Sequence, residues 1–115
     1  MPTPTYKPFD LVVVPFPFTD SSATKRRPAL VLSTAAFNDR AAHLVLAMVT
    51  SSEHRGWPLD TEIRDLARAG LTHPSMVRMK LFTLDERFVI RRAGALGETD
   101  RAAVRRALGL LLPPA

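Results

Sequence analysis

Two apolar runs, Leu11-Val12-Val13-Val14 and Ala29-Leu30-Val31-Leu32, stand close together in the first third of the chain, and they constrain the fold more than any other feature. Runs of this length, rich in β-branched residues and leucine and bounded by turn residues, read as buried strands. Between them lie Pro15-Phe16-Pro17-Phe18-Thr19-Asp20, a small polar stretch from Ser21 to Thr24, and the triple cation Lys25-Arg26-Arg27. The pattern predicts strand, loop, strand, with three cations delivered to the entrance of the second strand. Pro28 fixes its own φ and biases Arg27 toward an extended conformation. A guanidinium held this way presents a planar donor fork suited to phosphate. Alternation along Pro-Phe-Pro-Phe puts both aromatics on one side. Phe16 is expected to plug one end of a barrel; Phe18 is open between that role and stacking on a base.

The charge balance points the same way. Lys and Arg number 16 against 11 acids, and thirteen of the sixteen are arginine. That bias suits phosphate partners, although a GC-rich coding sequence produces it too, and composition does not separate the two. There are no cysteines, which excludes disulfides and thiolate metal sites. At 115 residues, one domain spanning 1–115 is expected. The start, Met1 to Pro8, carries three prolines and no apolar core of a signal peptide, and no run reaches membrane-spanning length. A cytoplasmic protein with no membrane association is the expectation.

Further along, Thr34 to Arg40 reads as a polar loop, and Leu44 to Val49 as a strand buried on both faces that ends at Thr50-Ser51-Ser52. Glu53 to Pro58 is a loop, and Leu59 to Ile63 a short strand. Arg64 to Gly70 makes one or two helical turns stopped by glycine. Thr72-His73-Pro74 breaks the pattern. From Val77 the chain alternates, with Arg78 and Lys80 on one face and Val77, Met79 and Leu81 on the other. Thr83 to Glu86 is expected to turn, and Phe88 to Ile90, continued by Arg91-Arg92, to form a last short strand. One clear helix is predicted over roughly 99–111, N-capped by Thr99, with Val104, Ala107, Leu108 and Leu111 on one face. The sum is mainly β with α, a compact barrel with helical decoration.

The three histidines, His43, His54 and His73, show no metal-binding spacing, and neither a glycine-rich phosphate loop nor a nucleophile elbow is present. What remains is an arginine cluster, a hydroxyl cluster at Thr50-Ser51, and the cationic strand of Arg78 and Lys80. These suit an anion with several oxygens, and a nucleic-acid backbone is the obvious candidate.

Phe9 to Asp20 followed by Lys25-Arg26-Arg27-Pro28-Ala29-Leu30-Val31-Leu32-Ser33 resembles the opening of the MazF/PemK toxins. Val49-Thr50-Ser51 resembles that family's threonine-serine at the end of the third strand, and Arg78 to Asp85 its later strand. The resemblance implies an SH3-like barrel of the MazF/Kid/CcdB type with a C-terminal helix, assembled as a homodimer. It implies a metal-independent, cofactor-free endoribonuclease that cuts single-stranded RNA at a short sequence and is neutralised by a cognate antitoxin. By position, Arg27 matches the catalytic arginine, Thr50 the catalytic hydroxyl and Ser51 the adjacent hydroxyl. Phe18, Asp20, Lys25, Arg26, His54, Arg78 and Lys80 are the candidate RNA contacts. Two departures stand out. Phe9 occupies a place where many members carry glycine. Some members also have a glutamate in the loop before the arginine, whereas Ser21 to Thr24 holds no acid and Asp20 is the nearest carboxylate.

RNA cleaves itself when a 2′-hydroxyl attacks the adjacent phosphorus. Arg27 suits stabilisation of the phosphorane better than proton abstraction, because a guanidinium is a poor proton acceptor. Thr50 is expected to bind a phosphoryl oxygen or hold the nucleophile in line. The ordinary alternatives are an Arg27 salt bridge to Asp10 or Asp20, a Thr50 with only local bonds, and Trp57 packed over the barrel. At the level of the whole protein the rivals are a gyrase-directed toxin on the same fold and a non-catalytic SH3-like binding module.

Overall fold

The computed structural model describes residues 5–16 and 25–114. Six strands form one antiparallel sheet: β1 (Asp10–Phe16), β2 (Lys25–Val31), β3 (His43–Ser51), β4 (Thr61–Glu62), β5 (Ser75–Asp85) and β6 (Arg91–Ala95). Their order across the sheet is β4-β5-β3-β2-β1-β6. Three helices accompany them: α1 (Ala35–Ala41), α2 (Leu66–Ala69) and α3 (Glu98–Leu111). The protein is therefore mainly β with α, the class the sequence predicts.

The unbroken apolar runs have a direct cause. Successive strand residues point to opposite faces, and here both faces are covered. On one, Leu11, Leu30, Ala47, Val49 and Val77 pack with Leu96 and with Val104 and Ala107 of α3. On the other, Val12, Val14, Ala29, Val31, Leu44, Leu46 and Leu84 form a second cluster, flanked by Tyr6, Phe82 and Val89. A strand buried on both sides has no polar position to offer, so alternation disappears from its sequence.

The prolines sit where the ladder can spare a donor. Ile90 N donates to Val13 O at 2.8 Å, so Val13, and with it Pro15, directs its backbone polar groups toward the β6 side. The β1–β6 pairing stops at Val13–Arg91, which leaves nothing there for Pro15 to pair with. Likewise Leu32 N donates to Val45 O at 2.9 Å, so Leu30 and Pro28 face β3. The β2–β3 pairing runs Val31–Leu46, Leu30–Ala47, Ala29–Met48 and ends where Pro28 would have to donate.

Several local expectations are corrected. Thr34 to Arg40 is not a loop: Thr34 caps α1, its Oγ1 accepting from Phe37 N at 3.3 Å. The polar Asn38 that made the segment look solvated is 1% exposed. It donates to Tyr6 O and Ser33 O at 2.9 and 3.1 Å, and so pins the N-terminal lead to α1. The expected turn at Thr83 to Glu86 is strand as far as Asp85, and of the expected last strand Arg91 and Arg92 are strand whereas Phe88 to Ile90 are not. Glu86–Phe88 is a 3-10 turn between them. Helix α3 starts at Glu98 with Gly97 as N-cap, not at Thr99. Leu81 and Leu111 are more than one-third exposed, not buried. A register shift in β5 lies next to Leu81: Ala47 pairs with Leu81 but Met48 with Arg78, leaving Met79 and Lys80 as extra residues.

Gly70 ends α2 at φ 76°, and a Cβ there would lie 2.1 Å from Ala93 O. Only glycine fits that approach of α2 to β6. Asp100 of α3 accepts from the Arg64 and Asp65 N–H groups at 2.9 and 3.0 Å, fixing the segment that leads into α2.

Candidate functional site

The end of the β2–β3 ladder opens into a cleft of about 650 Å³. Its walls include Lys25, Arg26, Arg27 and Pro28 from β2, and Val49, Thr50 and Ser51 from β3. Glu53 adds to the β3 side, and residues 70–73 with Ser75 close the far side. The register explains the juxtaposition. Carrying the Ala29–Met48 pairing two residues further puts Arg27 opposite Thr50. Alternation then sets Arg27 on the face of Ala29 and Val31, and Thr50 on that of Leu44 and Leu46, which is one and the same face. Because Pro28 ends the ladder, the two strand ends part just where these side chains stand.

Among the described residues no carboxylate pairs with Arg27. Its guanidinium carbon lies 5.1 Å from the centre of the Phe16 ring, a cation–π stack that orients the planar fork. Phe16 is half-buried and underlies the arginine, a more specific role than the plug expected of it. The Arg27 Nε is buried and has no hydrogen-bond partner among the described residues. A buried donor on a charged group is costly to leave unpaired, so an oxygen anion arriving in the cleft would be well received. The salt bridge from Arg27 to Asp10 does not form. Asp10 is instead 3.2 Å from Arg92 through Oδ1, at an angle too poor for a hydrogen bond, and its Oδ2 accepts from Lys7 N at 3.1 Å.

Thr50 makes no side-chain hydrogen bond among the described residues, and its hydroxyl is left for a ligand. Ser51 is partly committed: its Oγ accepts from Glu53 N at 3.3 Å and caps the 3-10 turn Ser52–His54. Among the described lining residues three cations, Lys25, Arg26 and Arg27, face one carboxylate, Glu53, a balance that favours anions.

The other sequence candidates are placed elsewhere. His54 is exposed and does not line the cleft. Arg78 lies outside it and is engaged in structure: Nε and Nη2 donate to the two Asp60 oxygens at 3.1 and 3.0 Å. That bond pushes the guanidinium pKa up from its ordinary value. Lys80 stands 5.1 Å over the Trp57 ring, also outside the cleft. Trp57 is anchored by its indole N–H, which donates at 3.4 Å to Met79 O at the β5 register shift. Phe18 and Asp20 lie outside the described residues. Sequence reading missed Glu53 and His73 as cleft residues. Their only signal was their place beside the hydroxyl cluster and before Pro74. Among the described residues no group of three or more His, Cys, Asp or Glu is arranged to hold a metal ion. No helix among them is long and apolar enough to cross a membrane.

A family profile described as PemK-like, MazF-like toxin of type II toxin–antitoxin systems matches residues 7–112. The chain belongs to that family. Solved structures agree with the assignment. MazE-MazF (Form-II) from Deinococcus radiodurans is 27% identical and superposes with a TM-score of 0.75, covering 98% of this chain and 100% of that one. MazF (Form-I) from the same organism is also 27% identical, with a TM-score of 0.74 over 97% of this chain and 100% of its own. A mycobacterial endoribonuclease in complex with its cognate antitoxin shares the fold at 16% identity, with a TM-score of 0.72 over 98% and 100% of the two chains. No curated protein matched the sequence. Family membership brings the toxin–antitoxin context with it.

Proposed function

We propose that this family member is a sequence-specific, metal-independent endoribonuclease that cuts single-stranded RNA in the cytoplasm. It works as a homodimer and is silenced by a cognate antitoxin. The observation that carries the reading is the shared cleft of Arg27 and Thr50, with a buried Arg27 Nε that no described residue satisfies. In this reading the scissile phosphate enters the open end of the β2–β3 ladder. Arg27 donates to its non-bridging oxygens and strengthens those bonds as the phosphorane gathers charge. Thr50 donates to a phosphoryl oxygen or aligns the 2′-hydroxyl. Lys25 and Arg26, both exposed at the mouth, contact flanking phosphates without reading sequence.

The test is to incubate the purified protein with a mixed RNA in a chelator and sequence the 5′ ends produced. Recurrent cleavage within one short motif is the expected result. Intact RNA, with inhibition of gyrase in a parallel reaction, would replace this reading with the gyrase-directed one. Intact RNA and unaffected gyrase would leave a binding module. Cleavage abolished by the chelator would remove the metal-free mechanism.

A further inference from the structure

The cleft holds two groups able to move protons near neutral pH, and neither is Arg27 or Thr50. A guanidinium stays protonated and an aliphatic hydroxyl stays neutral in that range. Among the described lining residues, Glu53 is the one carboxylate and His73 the one imidazole. The strand register brings them together. The β3–β5 pairing runs Thr50–Met76 and Ser51–Ser75, and Ser52 N continues it by donating to Pro74 O at 3.0 Å. Just past that last bond the chain turns, Glu53 lying in the 3-10 turn Ser52–His54 and His73 directly before Pro74, and both residues line the cleft. The His73 segment is also fixed: Ser75 Oγ donates to His73 O at 2.8 Å, and His73 Nδ1 is 3.0 Å from Thr72 Oγ1. With Nδ1 so engaged, Nε2 is the nitrogen left to meet a substrate.

We propose that Glu53 and His73 are the general base and general acid of the cleavage, an inference that rests on the nuclease reading above. A carboxylate oxygen is an acceptor and an imidazole N–H a donor, so Glu53 takes the proton and His73 gives one. The Glu53 carboxylate takes the proton of the 2′-hydroxyl. The 2′-oxygen forms a bond to phosphorus, and the bond from phosphorus to the 5′-oxygen breaks with its electron pair going to that oxygen. The His73 imidazolium supplies the proton that makes it a 5′-hydroxyl. The products are a 2′,3′-cyclic phosphate and a free 5′-hydroxyl end; protonated Glu53 and neutral His73 then exchange protons with water. Arg27 remains the group that carries the phosphorane charge.

A bridging 5′-sulfur at the mapped cleavage site tests the assignment, because a thiolate leaves without needing a proton. Wild type, His73→Gln and Glu53→Gln are each given the oxygen and the sulfur oligonucleotide in single-turnover reactions. His73→Gln is expected to slow the oxygen substrate by roughly a hundred-fold or more and to cut the sulfur substrate at close to the wild-type rate. Glu53→Gln is expected to slow both. If His73→Gln cut the oxygen substrate normally, or slowed both substrates alike, His73 would not be the acid. If Glu53→Gln cut both normally, Glu53 would not be the base. A wild-type protein that cuts neither substrate nor any RNA would instead bring down the nuclease reading itself.

Discussion

Arg27 and Thr50 are register partners across a ladder that no longer pairs them. The Ala29–Met48 pair is the last one formed, and two residues beyond it the guanidinium and the hydroxyl face one cleft. Arg27→Ala is expected to lower RNA cleavage by at least about a hundred-fold, the usual loss for one well-placed transition-state donor. Arg27→Lys should recover little, since an ammonium cannot reproduce the fork. Thr50→Val should reduce the rate while leaving the unfolding midpoint near wild type. Single-turnover cleavage and circular-dichroism melts check all three.

Pro28 is what stops the ladder, and Pro28→Ala supplies the missing N–H. The added hydrogen bond contributes about 0.5–1.5 kcal/mol, while the freer unfolded chain costs about 0.4–1 kcal/mol. Stability should therefore barely change. The residue 28 amide should become protected from hydrogen exchange, and RNA cleavage should fall as the strand ends close. A freely exchanging amide with full activity would mean that something other than the proline opens the cleft.

Phe9 sits at φ 74°, the left-handed conformation that a glycine would take without strain. It is kept there because Phe9 N donates to Val31 O at 2.7 Å and Phe9 O accepts from Leu96 N at 3.0 Å. Its ring also packs on the main core under Arg101 and Arg105. The departure from the family's glycine thus keeps the chain entry and adds a core contact. Phe9→Ala loses the ring but keeps the strain; Phe9→Gly loses both. The glycine variant should be the more stable of the two by about 1 kcal/mol, a reversal of the usual order, measurable by urea unfolding.

The Arg78–Asp60 pair is mostly covered, with side-chain exposures of 16% and 11%. Arg78→Met should lower the unfolding midpoint by stranding Asp60, without changing the cleavage rate of the folded protein. The salt dependence of RNA binding should also be unchanged, because Arg78 then contacts no phosphate. A shallower salt slope in the variant would restore Arg78 as an RNA contact.

Asp85 accepts from Arg87 N, Nε and Nη2 at 2.9, 3.1 and 3.0 Å, and these bonds hold its pKa below the ordinary value. A carboxylate with a depressed folded pKa stabilises the protein above its unfolded pKa of about 3.9. That contribution is lost as the pH falls through the folded pKa. Melts of wild type and Asp85→Asn should therefore differ at pH 6 and converge in stronger acid.

The sequence by itself determined the strands whose residues are apolar on both faces, the α3 stripe at Val104 and Ala107, and the cation cluster before Pro28. Each is a local pattern set by periodicity or by the φ of one proline. Helix α1 escaped because its inward residue is Asn38, whose polarity is satisfied by Tyr6 and Ser33 rather than by water. The cleft was legible only in part. Arg27 and Thr50 could be named from motif, but their meeting depends on register, which no single strand encodes. Tertiary structure alone took Arg78 away into the Asp60 pair, left His54 outside, and brought Glu53 and His73 in, because cross-strand pairing joins residues that sequence distance keeps apart.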